Sequence, residues 1–239
     1  MRQWVGRRLA RFLSCPREGV GIGPTSPPAL QAEIIQCGDI LLVEGTSRIS
    51  EAIKYLTQST WSHAALYVGE GQLIEADVSA GVRYLELGAY DTYHTRICRP
   101  IGLAASEIGA VIDYMTARVG HQYDMRHIVD LARYLVPQPP VPSRWRRRML
   151  VLGSGDPTRA ICSSLIAAAF HSVRYPILPH HTNGGESADE EILIRRHHTL
   201  FTPRDFDVSP YFAIVKPRIC GRFDPHYLVW GRATDLLSK

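Results

Sequence analysis

Residues 62–77, Ser-His-Ala-Ala-Leu-Tyr-Val-Gly-Glu-Gly-Gln-Leu-Ile-Glu-Ala-Asp, read as two strands joined by a glycine-flanked turn. Ser62 to Val68 and Gln72 to Asp77 are the apolar arms, and Gly69-Glu70-Gly71 between them predicts a hairpin with a three-residue loop. With Val68 facing Gln72, Ala65 falls opposite Glu75, and His63 lies diagonal to Glu75 on the same face, about 7–8 Å away at the backbone. A two-residue loop would reverse that parity and send the two side chains to opposite faces.

Outward from the hairpin, Gly38-Asp39-Ile40-Leu41-Leu42-Val43 reads as an apolar strand led by a turn. Ser47 is placed to cap a helix carrying Ile49, Ala52, Ile53 and Leu56 on one face. Further strands are predicted at Val82–Leu87 and Thr95–Arg99. A helix is predicted from Ala104 to Val119, with Ile108, Val111, Ile112 and Met115 as its buried stripe and Gly120 as its stop. A second helix is predicted from Asp124 to Leu135, ended by Pro137, Pro139, Pro140 and Pro142. The stretch 161–172 reads as a small, apolar helix with Cys162 at its start, and Tyr211 to Val215 as a late strand. Strands and helices in this mixture predict an α+β fold, an antiparallel sheet carrying His63 and Glu75 packed against the Cys162 helix and flanked by the helices at 104–119 and 124–135.

Composition agrees with a globular chain: 45% of the 239 residues are apolar and 21% charged. Five cysteines, at 15, 37, 98, 162 and 220, are widely spaced with no Cys-x-x-Cys, a pattern suited to a reducing compartment. No run of 18 apolar residues occurs and the first residues lack the form of a secretory signal, so the expected location is cytoplasmic, with the inner face of the membrane as the peripheral alternative.

The basicity is local. Arg2, Arg7, Arg8, Arg11 and Arg17 against Glu18 give the first twenty residues the whole net charge of +4. Residues 1–18 form a basic amphipathic segment, with Trp4, Val5, Leu9, Phe12 and Leu13 sharing about half of a helical wheel; such a segment suits an anionic membrane surface and equally a helix packed on the domain. Residues 19–33, rich in Gly and Pro at their start, read as a linker, and 34–239 as the folded domain. A Pro/Arg-rich insert at 137–159 holds Arg144, Arg146, Arg147 and Arg148 around Trp145, a solvated loop or a second contact for anionic lipid; no nucleic-acid partner is expected. The histidines at 180, 181, 197 and 198 lack nearby cysteines and read as surface residues, so neither a metal nor a cofactor is expected.

Chemistry centres on Cys162. Unpaired N–H groups and the positive end of the macrodipole at a helix start favour a thiolate, but a thiol near its free pKa of about 8.5 needs a base at neutral pH. His63 is placed to take and return the proton, and Glu75 to orient it. Each residue alone has a plainer reading: a buried packing cysteine, a satisfied core histidine, a solvated carboxylate.

The ordered set Gly38-Asp39-Ile40, Trp61 to Gly69, Leu73 to Ala76, Tyr123-Asp124 and Cys162-Ser163-Ser164-Leu165 resembles the circularly permuted papain-like branch of the NlpC-type cysteine hydrolases. Within that branch it is most similar to the YiiX/YebB-like hydrolases, and more distantly to lecithin:retinol acyltransferase. The resemblance spans about residues 36–216 and implies a permuted papain-like fold with Cys162 as nucleophile, His63 as base and Glu75 as the third polar residue. It also makes Tyr123, Ser163 and Asp39 substrate or oxyanion candidates, Asp39 with the alternative of holding the strand start. The Cys162 backbone N–H is the expected main oxyanion donor. Two departures, Ser164 where many relatives are acidic and the insert at 137–159, bear on substrate choice.

Three functions follow as expectations. The first is cysteine-dependent hydrolysis of an amide or ester in a small-molecule, peptide or lipid substrate. The second is acyl transfer or phospholipase-like action on membrane lipid by the same residues, and the third is a membrane-associated binding module with a dormant site.

Overall fold

The computed structural model describes residues 23–24, 26–77, 80–121, 161–178, 180–182, 192–194 and 201–216. Along the chain lie α1 (Pro28–Ile34), β1 (Ile40–Val43), α2 (Arg48–Thr57), β2 (His63–Gly69), β3 (Gln72–Asp77) and β4 (Gly81–Glu86). A 3₁₀ turn (Leu87–Tyr90), β5 (Thr95–Pro100), α3 (Ala105–Thr116) and α4 (Ile161–Ser172) follow. Last come β6 (His180–Thr182), β7 (Ile192–Ile194), α5 (Pro203–Asp207) and β8 (Phe212–Val215).

Six strands form one sheet in the order β4-β3-β2-β1-β5-β8, with every neighbouring pair antiparallel. The fold is α+β, as expected from the mixture of strand and helix patterns. All four residues of β1 are buried because both faces of the sheet are covered, which is why this central strand reads as an unbroken apolar run. Ile40, Leu42, Ala64, Leu66, Ile74 and Ala76 point to one face, where Val111 and Met115 of α3 and Ile166, Ala169 and Phe170 of α4 meet them. Leu41, Val43, Ala65, Tyr67 and Leu73 point to the other, against Ile35, Leu87 and Ile97. Fully burying a side chain of this size contributes about 1.5–3 kcal/mol, so two such clusters fix the parity of every strand that separates them.

Local signals explain the helix starts. Ser47 Oγ accepts the Ser50 N–H at 3.2 Å, the cap expected of it. Glu107 reaches back to the Ala104 N–H at 2.8 Å and so satisfies one of the free donors ahead of α3. Asp205 does the same for Thr202 at 2.7 Å, ahead of the short α5.

Some sequence expectations need correction. Within the predicted linker 19–33, Pro28 to Glu33 are already helical, because proline presets the first-turn φ and gives up an N–H that has no partner there. Gln31 is tied to β5 by the Thr95 hydroxyl, which donates to its Oε1 at 2.8 Å. The polar stretch from His180 holds the two-stranded β6–β7 sheet, which a lack of apolar alternation hid. The basic N-terminal segment, the helix expected at 124–135, the insert at 137–159 with Arg144–Arg148, and the last twenty residues lie outside the described residues.

Candidate active site

The hairpin places the site. Ala65 pairs with Glu75, Leu66 with Ile74 and Tyr67 with Leu73, the register expected from the sequence, yet Gly69 rather than Val68 faces Gln72. The turn therefore contains two residues, Glu70 and Gly71, both at positive φ (51° and 72°) as type I′ geometry requires. The expected three-residue loop is corrected: Val68 is the extra residue of a β-bulge between Tyr67 and Gly69, and the bulge restores the parity that a two-residue turn would have reversed. Gly69 sits at φ 105°, where a side chain would be strained, and a Cβ there would lie 3.0 Å from the Cys37 sulfur.

On this register His63 Nε2 lies 2.8 Å from Glu75 Oε2. His63 opens β2, so its ring stands at the end of the sheet, where the second residue of α4, Cys162, arrives from the helix-covered face. Cys162 lies close enough to the His63 ring for its sulfur to act on the imidazole, raising its pKa. Because Nε2 is engaged by Glu75, Nδ1 is the ring nitrogen left for the sulfur. Cys162, His63 and Glu75 thus form one connected chain.

Glu75 is almost fully buried, its side chain 2% exposed. A buried carboxylate is costly unless its oxygens are satisfied, and here they are. Arg83, directly opposite Glu75 in the β3–β4 pairing, donates from Nε at 2.9 Å and Nη2 at 2.8 Å to Oε1. Tyr90, at the end of the 3₁₀ turn, donates its hydroxyl to Oε2, the oxygen shared with His63. Burial raises the Glu75 pKa, but the hydrogen bond and charge of His63, with the bonds from Tyr90 and Arg83, outweigh it and hold the carboxyl at about 2. Burial lowers that of His63, but negative charge at Cys162, the bond to it, and Glu75 together hold the imidazole well above the ordinary histidine range. Burial and the adjacent Glu75 charge push the Tyr90 hydroxyl far above its ordinary value, so it acts as a donor that keeps its proton.

The other sequence candidates fall elsewhere. Asp39 precedes β1 at the end of the sheet remote from His63: its carbonyl accepts the Tyr67 N–H at 2.8 Å, four residues along β2, about 13 Å from the site at the strand rise. Its carboxylate accepts Arg99 Nε at 2.9 Å, Arg99 Nη2 at 2.7 Å and the Gln36 N–H at 2.8 Å. These bonds match the alternative reading of Asp39, a tie that holds the strand start to β5. Ser163 is fully buried and donates its hydroxyl to the Phe201 carbonyl at 2.8 Å, so that hydroxyl is turned into the core. Tyr123 lies outside the described residues.

Arg83 and Tyr90 escaped the sequence reading. Continuing the register count through the next turn would have found Arg83 opposite Glu75, since Asp77 pairs with Gly81. Tyr90 carries no such signal, because a 3₁₀ turn after a strand brings it in.

A second polar network flanks the same end of the sheet. Trp61 Nε1 donates to Asp207 Oδ2 at 3.1 Å, Arg96 Nη1 donates to Asp207 Oδ1 at 2.6 Å, and His94 Nδ1 lies 2.9 Å from Glu44 Oε2. It anchors α5 and the residue before Ser62 and His63 to the sheet. Among the described residues no cluster of three or more His, Cys, Asp or Glu is arranged to hold a metal ion, and no helix is long and apolar enough to cross a membrane.

No protein-family model matches the chain, and no curated protein does. Among solved structures the chain is similar to the crystal structure of metalloprotein yiiX from Escherichia coli O157:H7, DUF1105. The two share 16% identity at a TM-score of 0.47, covering 77% of this chain and 97% of that one.

Proposed function

We propose that this chain is a cysteine-dependent hydrolase that cleaves an amide or ester through an acyl-enzyme. Cys162 is the nucleophile, His63 the acid–base and Glu75 the orienting residue, on a permuted papain-like fold. The observation that carries the reading is the connected chain from the Cys162 thiol through His63 to a buried, ionised Glu75.

In this mechanism His63 holds the thiol's proton on Nδ1, and the sulfur left negative bonds to the substrate carbonyl carbon as the C=O electron pair moves onto oxygen. Charge develops on the carbonyl oxygen, where the N–H of Cys162, second residue of α4, serves as donor. The C–N or C–O bond then breaks as His63 returns its proton to the leaving group. Water attacks the thioester with His63 as base, the C–S bond breaks, and the thiol is restored. Glu75 stays ionised throughout and fixes which ring nitrogen faces the sulfur. An acyl acceptor other than water would make the same residues a transferase.

Labelling with an electrophilic acyl probe, with the labelled residue identified by mass spectrometry, tests the reading. Cys162 is expected to label in the wild type far faster than the exposed Cys37 and not at all in Cys162→Ser. Equal labelling of Cys162 and Cys37, or the same Cys162 rate in His63→Ala, would overturn it.

A further inference from the structure

We propose that Arg83 is a positioning residue for the thiol chemistry, acting through Glu75 to hold one carboxylate oxygen on His63; this rests on Cys162 being the nucleophile. The two oxygens of Glu75 are differently occupied. Oε2 receives His63 and Tyr90, whereas Oε1 receives two bonds from the one guanidinium, through Nε and Nη2. A planar fork converging on a single oxygen fixes both the position and the plane of the carboxylate, which a point-charge donor cannot do. With the fork removed, only His63 and Tyr90 hold the carboxylate, both through Oε2, and its plane is free to tilt away from the imidazole.

The groups facing Glu75 are few and come from separate elements. They are His63 from β2, Arg83 from β4 and Tyr90 from the 3₁₀ turn, with Cys162 of α4 reached through His63 and Asp77 acting on Arg83. Arg83 is the solvent-side member, its side chain 45% exposed against 2% for Glu75. Truncating it opens a surface notch rather than a core cavity, so the sheet is expected to survive the change. The buried carboxylate beneath would lose its cation and two of its hydrogen bonds.

A salt bridge that serves only stability, or an arginine that binds an anionic group of the substrate, would behave differently in a double-mutant cycle. The test is the single-turnover acylation rate of Cys162 by p-nitrophenyl acetate at saturation. It is measured in wild type, Arg83→Ala, Arg83→Lys, Glu75→Ala and the Arg83→Ala/Glu75→Ala double variant, with the fold of each checked by circular dichroism. Arg83→Ala is expected to slow acylation by about ten- to a hundredfold, the scale of a misplaced catalytic group. Arg83→Lys should recover part of the loss, and the double variant should match Glu75→Ala alone.

Wild-type speed in Arg83→Ala, or equal slowing by that substitution with and without Glu75, would overturn the positioning role. Should Arg83→Ala unfold, Arg83→Lys carries the comparison: a rate at wild-type level in that variant, which supplies charge without a fork, overturns the proposal equally. Wild type that is never acylated at Cys162 would instead remove the nucleophile reading, and the outcomes are told apart by that single measurement.

Discussion

His63 and Glu75, twelve residues apart, meet at 2.8 Å because Val68 is squeezed out of the ladder between them. Without that bulge, a hairpin closing through Glu70 and Gly71 would set Glu75 opposite Leu66 and turn His63 to the other face. The bulge thus carries the site in its register.

Deleting Val68 is expected to leave this relationship intact, because Gly69 would still face Gln72 and Ala65 would still face Glu75 in a regular ladder. Gly69→Val, by contrast, forces a branched side chain into a conformation at φ 105° and is expected to cost about 1–3 kcal/mol. Urea unfolding and Cys162 labelling of both variants check the pair of outcomes. A deletion variant that folds but no longer labels at Cys162 would contradict this account of the bulge.

Glu75→Gln keeps the shape of the side chain and removes the charge that His63 and Arg83 share. Acylation of Cys162 is expected to fall by about 10²–10⁴-fold, by analogy with orienting carboxylates in other triads, with little change in probe affinity. Stopped-flow acylation over a range of probe concentrations separates the two parameters; a change confined to affinity would argue against an orienting role.

Stability should fall on both sides of neutrality. Glu75 moves from an ordinary 4.5 to about 2 on folding, so its contribution is complete above the unfolded value and is lost as pH drops through the folded one, at most about 3 kcal/mol. The imidazole of His63 is shifted upward, so its contribution is complete below 6.5 and is lost as pH rises through its higher folded value. Thermal melts from pH 2 to pH 10 are expected to show both declines, and Glu75→Gln to flatten the acid one. An unchanged acid limb in that variant would show that other carboxylates govern acid unfolding.

Asp39→Ala separates fold from site. It leaves the half-buried Arg99 guanidinium and the Gln36 N–H without their carboxylate, and losing charged hydrogen bonds of this kind costs about 1.5–3 kcal/mol. Urea melts should register that loss, while the folded fraction labels at Cys162 at the wild-type rate. Slower labelling in the folded protein would return Asp39 to the site.

Much of this arrangement was legible in the sequence. Apolar periodicity located the β1 to β5 strands, α3 and α4, and the Ser47 cap announced α2, because these signals are written within a few residues of where they act. Counting across the hairpin paired Ala65 with Glu75, although the turn that achieves it is shorter by one residue than expected and compensated by a bulge. The choice between a bulge and a longer loop depends on packing: Ala64 and Leu66 must face α4 while Ala65 and Tyr67 face the opposite cluster, and only one register does both.

The sequence by itself determined β1 to β5, α2 to α4 and the hairpin that lets His63 and Glu75 share a face, since apolar period, caps and turn residues are local properties of the chain. The tertiary structure alone decided what that face meets. Antiparallel pairing of β1 with β2 placed Asp39 at the far end of the sheet, helix packing spent the Ser163 hydroxyl on Phe201, and the return of β4 and the 3₁₀ turn brought Arg83 and Tyr90 onto a carboxylate whose partners depend on which strand ends lie side by side. Those adjacencies are set by burial of two apolar faces across long sequence separations, and no spacing within one segment encodes them.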